Sequence, residues 1–159
     1  MKIINKETLI NAFLASIGGF VCIGFLSYLN MSIDGSIWLI PPFGASMVLV
    51  MAVHESPLAQ PKNLILGHVL SALSGVLIYT LLGQTFYALG AGVALAIFVM
   101  MITNTVHPPA GANPIIVILG GKGIGFVLLP VGVGALIIII FAMIYNKILG
   151  RNYPKSPAN

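Results

Sequence analysis

Charged residues are the scarcest class in this sequence. Of 159 residues, seven are Lys or Arg and three are Asp or Glu, together 6% of the chain, whereas 58% are hydrophobic. A soluble domain carries about 25% charged residues, because water must wet its surface. Between the charges lie uncharged runs long enough to cross a bilayer, which takes roughly 20 helical residues. These features predict an all-α polytopic membrane protein.

Other kinds of chemistry are excluded by what is missing. The single cysteine, Cys22, supports neither a disulfide framework nor a thiolate metal site. The spacing of His54, His68 and His107 matches no metal-ligand motif, so we expect no metal and no cofactor. No carboxylate lies at membrane depth and no Ser–His–acid set can be assembled, so we expect no enzymatic activity. The net charge of +4 comes without a basic run interleaved with aromatics, and nucleic acid is not expected as a partner.

The uncharged runs predict four full transmembrane helices, at residues 9–29, 63–82, 85–102 and 125–145. The first three contain small residues four positions apart, which let helix backbones approach closely in lipid. We expect these rows to be packing faces of one bundle rather than the lining of a substrate path. The rows are Ala15 with Gly19, Gly67 with Ser71 and Gly75, and Gly90 with Ala94.

Two shorter stretches, residues 36–54 and 104–121, resemble each other. Residues 41–50 (PPFGASMVLV) align without gaps on residues 108–117 (PPAGANPIIV). A full helix precedes and follows each copy, which indicates an internal repeat. We therefore predict a single transmembrane domain over residues 1–159, built from two halves at about 1–82 and 84–150.

The repeated pattern predicts a break in each segment. Two prolines remove two backbone donors and bias the preceding residues away from helix, so we expect extended chain up to Pro42 and Pro109. Half-helices would then start near Gly44 and Gly111. Unpaired N–H groups and a partial positive charge at such N-termini suit an anion, and paired broken helices are typical of transport sites. The alternative is that both segments are kinked helices or surface turns.

We predict a substrate site near the bilayer midplane, between the two half-helix N-termini. Ser46 and Asn113 would replace part of the hydration of the solute there. The predicted substrate-binding residues are Pro42, Gly44, Ala45, Ser46, His107, Pro109, Gly111, Ala112 and Asn113.

Ionisable residues at membrane depth are functional candidates. His107 would attract an anion or carry a coupled proton; alternatively, it pairs with a carbonyl left free by the prolines. His68 and Lys62 are assigned to the pathway or its mouth. The alternatives are that His68 is an interhelical hydrogen-bonding residue and that Lys62 marks a loop end at the interface.

Whether the two broken segments cross the membrane decides the symmetry of the halves. If both cross, the chain has six crossings and inverted halves; if both re-enter, it has four crossings and parallel halves. With the N-terminus inside, the crossing arrangement leaves Lys122 outside and puts the remaining basic residues inside, at Lys2, Lys6, Lys62, Lys147, Arg151 and Lys155. We favour the inverted repeat, with both termini cytoplasmic, in a bacterial cytoplasmic (inner) membrane.

Three motifs in order resemble the HPP family of integral membrane proteins over roughly residues 10–147. They are PPFGAS at residues 41–46, SPLAQPKN at 56–63 and HPPAGA at 107–112, with Gly67 and His68 also fitting the pattern. The resemblance implies four membrane-spanning helices. Because cyanobacterial and chloroplast members are associated with nitrite transport, it also implies that this chain carries nitrite or a similar small anion.

The expected function is therefore a transporter or channel for a small inorganic anion, with nitrite as the main candidate. Nitrite is small and singly charged, so a few donors could hold it without a buried Arg or Lys, whereas sulfate or phosphate would need more charge. The alternatives are an aquaporin-like pore for neutral solutes and a membrane scaffold or sensor without flux. A chain this short needs copies of itself to shield a polar path from lipid, so we expect a homo-oligomer.

Overall fold

The structure is a computed structural model that describes residues 5–155, and all regular secondary structure in that range is helical. Lys2, one of the basic residues in the topology count, lies outside the described range. Within this range, three helices are long and apolar enough to cross a membrane: α1 (Lys6–Ser32), α3 (Pro61–Leu82) and the last of them, α6 (Ile124–Ile148). The predicted all-α membrane fold is confirmed at this level.

Shorter apolar helices complete the bundle. They are α2 (Pro41–Ala52), α4 (Phe86–Ile102), and a 3₁₀ turn at Pro108–Ala112 that runs into α5 (Asn113–Leu119). At 17 residues, α4 is about 26 Å long, slightly less than a hydrocarbon core of about 30 Å. Of the four predicted full helices, three therefore have full spanning length, and the fourth forms a somewhat shorter helix.

The start of each proline-containing segment differs from the prediction. Pro41 and Pro42 are the first residues of α2, which begins three residues before Gly44. Pro108 and Pro109 likewise open the 3₁₀ turn. A proline costs a helix nothing in its first turn, because the N–H it lacks would have no partner there. The expectation of extended chain through Pro42 and Pro109 is therefore wrong.

Each proline-containing segment runs beside a neighbouring long helix over most of that helix's length. The Asn30 side chain near the end of α1 accepts the Trp38 N–H at 3.0 Å, and His54 shares a cavity with Thr8 near the start of α1. The second segment follows α3, which precedes it in the chain.

Hydrogen bonds join the second segment to both ends of α3. The Asn63 amide at the start of α3 donates to the Val106 carbonyl at 3.0 Å, and the Gln84 amide beyond its end donates to the Leu119 carbonyl at 2.7 Å. Residues 106–119 therefore lie along the whole of α3.

One end of the bundle collects most of the charged residues, and we call it the basic end. The C-terminal residues fold back onto the loop before α3: the Tyr153 hydroxyl donates to the Ala59 carbonyl at 2.8 Å, and the Lys155 N–H donates to the Gln60 side chain at 2.9 Å. The start of α1 lies at the same end, where Thr8 and Arg151 line one cavity. The charged residues of this end are Lys6, Glu7, Glu55, Lys62, Lys147, Arg151 and Lys155.

The row of small residues on α3 packs as predicted. A Cβ added to Gly67 would lie 2.7 Å from the His107 Cβ, and one added to Gly75 would lie 2.7 Å from the Pro114 Cα. The second proline segment therefore approaches the α3 backbone closely along this face.

The other two rows behave differently. Gly90 and Ala94 are exposed, so the predicted α4 row is wrong. The buried small residues of α4 are instead Ala88, Gly92 and Ala96, also four positions apart. Hydropathy is similar all round this helix, so it did not indicate which face packs. Ala15 and Gly19 line an open groove between α1 and α2.

We expect Gly75→Ala to lower the thermal stability of the purified protein relative to Gly90→Ala. Both changes gain about 1 kcal/mol of helix propensity. Only Gly75 places the new methyl against the Pro114 backbone, whereas a Cβ at Gly90 meets nothing within 4 Å. Overpacking costs about 1–3 kcal/mol. Thermal unfolding in detergent compares the two variants, and equal melting temperatures would contradict this account of the contact.

Candidate functional site

Four polar side chains meet in the interior of the bundle, and we call them the histidine cluster. Ser46 comes from α2, His68 from α3, His107 from the residue before the 3₁₀ turn, and Asn113 from the start of α5. All four are fully buried. The two copies of the proline motif are thus brought together at His68, which contacts Ser46 of the first copy and Asn113 of the second.

Short hydrogen bonds connect the cluster from end to end. The Ser46 Oγ lies 2.8 Å from the Nε2 of His68 and 2.8 Å from the Nε2 of His107. The His107 Nδ1 lies 2.8 Å from the Leu58 carbonyl oxygen, and the Asn113 Nδ2 lies 3.0 Å from the His68 Nδ1. The cluster therefore runs from Asn113 to the loop that precedes α3.

These partners determine the direction of every hydrogen bond when both imidazoles are neutral. A carbonyl only accepts, so His107 must carry its proton on Nδ1 and accept at Nε2. Ser46 then donates to His107, which leaves its oxygen free to accept from the Nε2–H of His68. The Nδ1 of His68 in turn accepts from Asn113. The result is one chain of donors: Asn113 to His68, His68 to Ser46, Ser46 to His107, and His107 to the Leu58 carbonyl.

Asn113 closes one end of this chain and leaves one atom without a partner. Its Nδ2 lies 3.0 Å from both the Nδ1 and the carbonyl oxygen of His68, two acceptors that only an NH₂ group satisfies together. Its Oδ1 is buried and has no hydrogen-bond partner. An unmet buried acceptor costs about 1–3 kcal/mol, so this oxygen has a strong preference for a donor.

Aromatic and backbone groups enclose the cluster. The ring of Phe43 meets His68 edge-on at a centroid distance of 5.3 Å, and the two imidazole rings are 4.9 Å apart. The Ser71 hydroxyl donates to the Ala110 carbonyl at 2.6 Å, which holds the 3₁₀ turn against α3. The imidazoles are thus desolvated on all sides.

The cluster lies between the middle of the bundle and the basic end. His68 is the eighth residue of the 22-residue helix α3, about 10 Å from its start. The middle of α3 is about 16 Å from its start, so the cluster is displaced from the middle of this helix by about one turn, toward the loop that contains Leu58. The position near the bilayer midplane stays a prediction.

The structure brings together some of the predicted site residues and separates others. Ser46, His107 and Asn113 are in the cluster, and the Pro42 carbonyl lies 3.1 Å from the Ser46 Oγ. His68, assigned from sequence to the pathway or its mouth, is at the centre. Gly44 and Ala45 are exposed on α2, and Lys62 is exposed at the basic end. The others are half-buried along the 3₁₀ turn: Pro109, Gly111 and Ala112.

The expected free N–H groups at the helix starts are largely absent. Pro41 and Pro42 have no N–H, and the Phe43 N–H donates to the Ile40 carbonyl at 3.0 Å. In the second copy the Ala110 N–H donates to the His107 carbonyl at 3.0 Å. The two segments therefore present side chains and carbonyl oxygens, rather than free backbone N–H groups, to the cluster.

Sequence reasoning missed two contributors. The Leu58 carbonyl, which sets the tautomer of His107, could not be found, because a backbone atom leaves no mark in a residue pattern. Ser71 was recognised as a packing residue, but its hydrogen bond was not. Its position three residues after His68, on the same face of α3, was the available signal.

We expect Ser46→Ala to destabilise the protein more than Ser74→Ala does. Ser46 links both imidazoles, so its loss leaves two buried nitrogens unpaired, at about 1–3 kcal/mol for each group. Ser74, on α3, is buried as well, but it donates only to the Leu70 carbonyl of its own helix. Thermal unfolding of both variants in detergent measures the difference. Equal losses would show that the Ser46 bridge does not form.

Comparisons with known proteins agree with the assignment to the membrane. The family model described as HPP, transmembrane region, matches residues 4–154. A transmembrane protein of Dictyostelium discoideum is 38% identical over 151 residues, which covers 89% of this chain and 53% of that protein. A second transmembrane protein of the same organism is 36% identical over 152 residues, 90% of this chain and 49% of that protein.

Both relatives are longer than this chain, which spans about half the length of the curated relatives it matches. No solved structure matches. The family match covers α1 to α6 together with both proline motifs, and it confirms the resemblance seen in the sequence. This chain belongs to the HPP family of transmembrane proteins.

Proposed function

We propose that this protein is a membrane carrier for a small, singly charged inorganic anion, with nitrite as the leading substrate. The observation that carries the proposal is the histidine cluster, in which both proline motifs converge on two buried imidazoles. Polar and ionisable groups are costly inside a membrane, and they are concentrated in substrate and proton pathways. The proposal includes no enzymatic reaction.

The hydrogen bonds of the cluster suggest how an anion would bind. When both imidazoles are neutral, every side-chain N–H and O–H of the histidine cluster already donates to an acceptor in the cluster or to a backbone carbonyl. A further proton on His68 or His107 would turn a ring nitrogen from acceptor to donor and would add a positive charge. Anion binding is therefore expected to accompany proton uptake. The anion and the proton together would then enter the apolar interior without net charge.

The size of the charge limits the substrate. The cluster contains no Lys or Arg, and two imidazoles 4.9 Å apart oppose double protonation because the two positive charges would repel each other. One proton balances one negative charge. This favours nitrite, as the family resemblance does, over sulfate or phosphate.

Complete burial of the cluster favours a carrier over an open channel. Ser46, His68, His107 and Asn113 are each 0% exposed. A solute therefore reaches the imidazoles only after the surrounding segments move. An aquaporin-like pore would need a continuous polar path to these groups, so neutral-solute permeation is the less favoured alternative.

We expect nitrite uptake into proteoliposomes to accelerate when the outside is more acidic than the inside, and to fall at least about tenfold in His107→Ala. Hydrogen bonds to charged groups contribute about 1.5–3 kcal/mol, and 1.4 kcal/mol is a factor of ten. His54→Ala is the matched control, because His54 lies outside the cluster and has no bond to it.

Two control measurements distinguish carrier-mediated nitrite uptake from simple leakage and from a neutral-solute pore. Protein-free vesicles measure leakage of the protonated acid, and vesicle swelling with a neutral solute tests the pore. The carrier proposal fails if the pH gradient does not change nitrite flux through the wild type. It also fails if His107→Ala transports nitrite as fast as His54→Ala does.

The topology proposed with this function is six crossings with inverted halves. Its support is that residues 106–119 follow α3 from Asn63 to Gln84, and that the first segment follows α1 in the same way. The loop with Lys62 then lies on the same side as both termini. The positive-inside rule makes this side cytoplasmic, in a bacterial inner membrane, and assembly into a homo-oligomer is part of the proposal.

Labelling with a membrane-impermeant maleimide tests the topology on intact cells. In a Cys22→Ser background, Lys122→Cys should react from outside, whereas Lys62→Cys should react only after permeabilisation. The two lysines lie at opposite ends of the bundle in the proposed arrangement. Labelling of Lys62→Cys on intact cells would exclude it.

A further inference from the structure

An apolar groove runs between α1 and α2 on the outside of the bundle. It has a volume of about 620 Å³ and is lined mainly by small and aliphatic residues. Gly19 and Gly24 of α1 and Gly44 of α2 face open space, since a Cβ at any of them would meet nothing within 4 Å. The absence of side chains at these positions is what creates the groove.

The groove has the length of one bilayer leaflet. Along α1 its lining extends from Ala15 to Ser27, which is 12 residues or about 18 Å. One leaflet contributes about 15 Å of hydrocarbon, half of the core. The groove begins about 14 Å from the start of α1 and extends past the middle of this helix, so an extended acyl chain that enters from the basic end would fit along it.

The groove continues into a polar cavity at the basic end. This cavity also has a volume of about 620 Å³, and Ala15, Met51 and Ala52 line both spaces. On α1 the same helix face changes from small residues to Thr8 and Asn11 as it reaches the cavity. An amphipathic molecule with its polar part at the membrane surface would match this change.

The cavity is lined by one positive and one negative side chain, which differ in their exposure. Arg151 is half-buried, and its guanidinium donates to neutral oxygens, those of the Met51 backbone at 3.1 Å and the Asn146 side chain at 3.3 Å. Glu55 is exposed at the rim. Both charges act on the pKa of His54. Burial, and after it the charge of Arg151, lower this pKa, whereas the charge of Glu55 raises it.

We propose that the groove and the cavity together bind one phospholipid with a phosphoethanolamine headgroup. An acyl chain lies between α1 and α2, the phosphate contacts Arg151, and the ammonium contacts Glu55. In this headgroup the phosphate is the inner charge and the amine the outer one, which is the order of Arg151 and Glu55. Arg is well suited to phosphate because its planar fork donates two parallel hydrogen bonds.

This site is independent of the transport proposal, because neither the groove nor the cavity is lined by a residue of the histidine cluster. A failure of lipid binding would leave the carrier mechanism in place, and a failure of nitrite transport would leave the lipid site in place.

Native mass spectrometry of the purified protein tests the proposal, with equal amounts of phosphatidylethanolamine, phosphatidylcholine and phosphatidylglycerol in the detergent. We expect one tightly bound phosphatidylethanolamine per chain. Gly19→Leu should abolish this binding by filling the groove. Gly90→Leu, which adds the same side chain on the open face of α4, should bind as the wild type does.

The headgroup contacts are tested separately. Arg151→Gln should weaken the binding of all three phospholipids. Glu55→Gln should reduce the preference for phosphatidylethanolamine over phosphatidylglycerol by about two- to fivefold, the contribution of one exposed ion pair. Because Glu55 is exposed, this variant is expected to fold normally, and it keeps the test valid if Arg151→Gln does not fold.

Three results would overturn the proposal. The wild type could bind the three phospholipids equally, or Gly19→Leu could retain the lipid. The groove could also prove to be covered by a second copy of the chain, in which case a lipid-free dimer would dissociate on Gly19→Leu.

Discussion

Inside hydrocarbon, every buried polar group must find its partner within the protein, and the histidine cluster is where this constraint shapes the molecule. Ser46, His68 and His107 come from three separate elements, and the Nε2 atoms of both imidazoles are paired only when Ser46 lies between them. The His107 bond to the Leu58 carbonyl extends the same dependence to the loop before α3. The cluster thus fixes the position of both proline-containing segments relative to α3. Gly67 and Gly75, which have no side chains, let the second segment approach the α3 backbone closely.

Much of this arrangement could be predicted from the sequence, because the relevant signals are strong. Scarcity of charge identified the membrane fold, and the repeated proline motif identified the two segments that meet. The involvement of His107, Ser46 and Asn113 followed from polarity at membrane depth, without knowledge of their contacts. The all-helical fold and the meeting of Ser46, His107 and Asn113 around His68 agree with these predictions.

The remaining features depend on information that a residue pattern does not contain. The packing face of α4 was misassigned to Gly90, because hydropathy alone does not orient a helix that is apolar on all sides. The helix starts were misplaced because prolines are compatible with either an extended chain or a first helical turn. Asn146 and Arg151 anchor the C-terminal residues to the end of α2 through backbone carbonyls, which only coordinates reveal.

The uniform direction of the donors in the cluster has a consequence for membrane tightness. Moving one proton from the Nε2 of His68 through Ser46 to the Nε2 of His107 would leave His68 as an imidazolate and His107 as an imidazolium. Neither end of the cluster can restore neutrality, because the Leu58 carbonyl is a poor base for the Nδ1 proton of His107 and both amide protons of Asn113 are already bonded to His68. Two opposite charges in an apolar interior are costly, so the proton returns to His68 by the same path. The resting cluster therefore does not leak protons along its own hydrogen bonds.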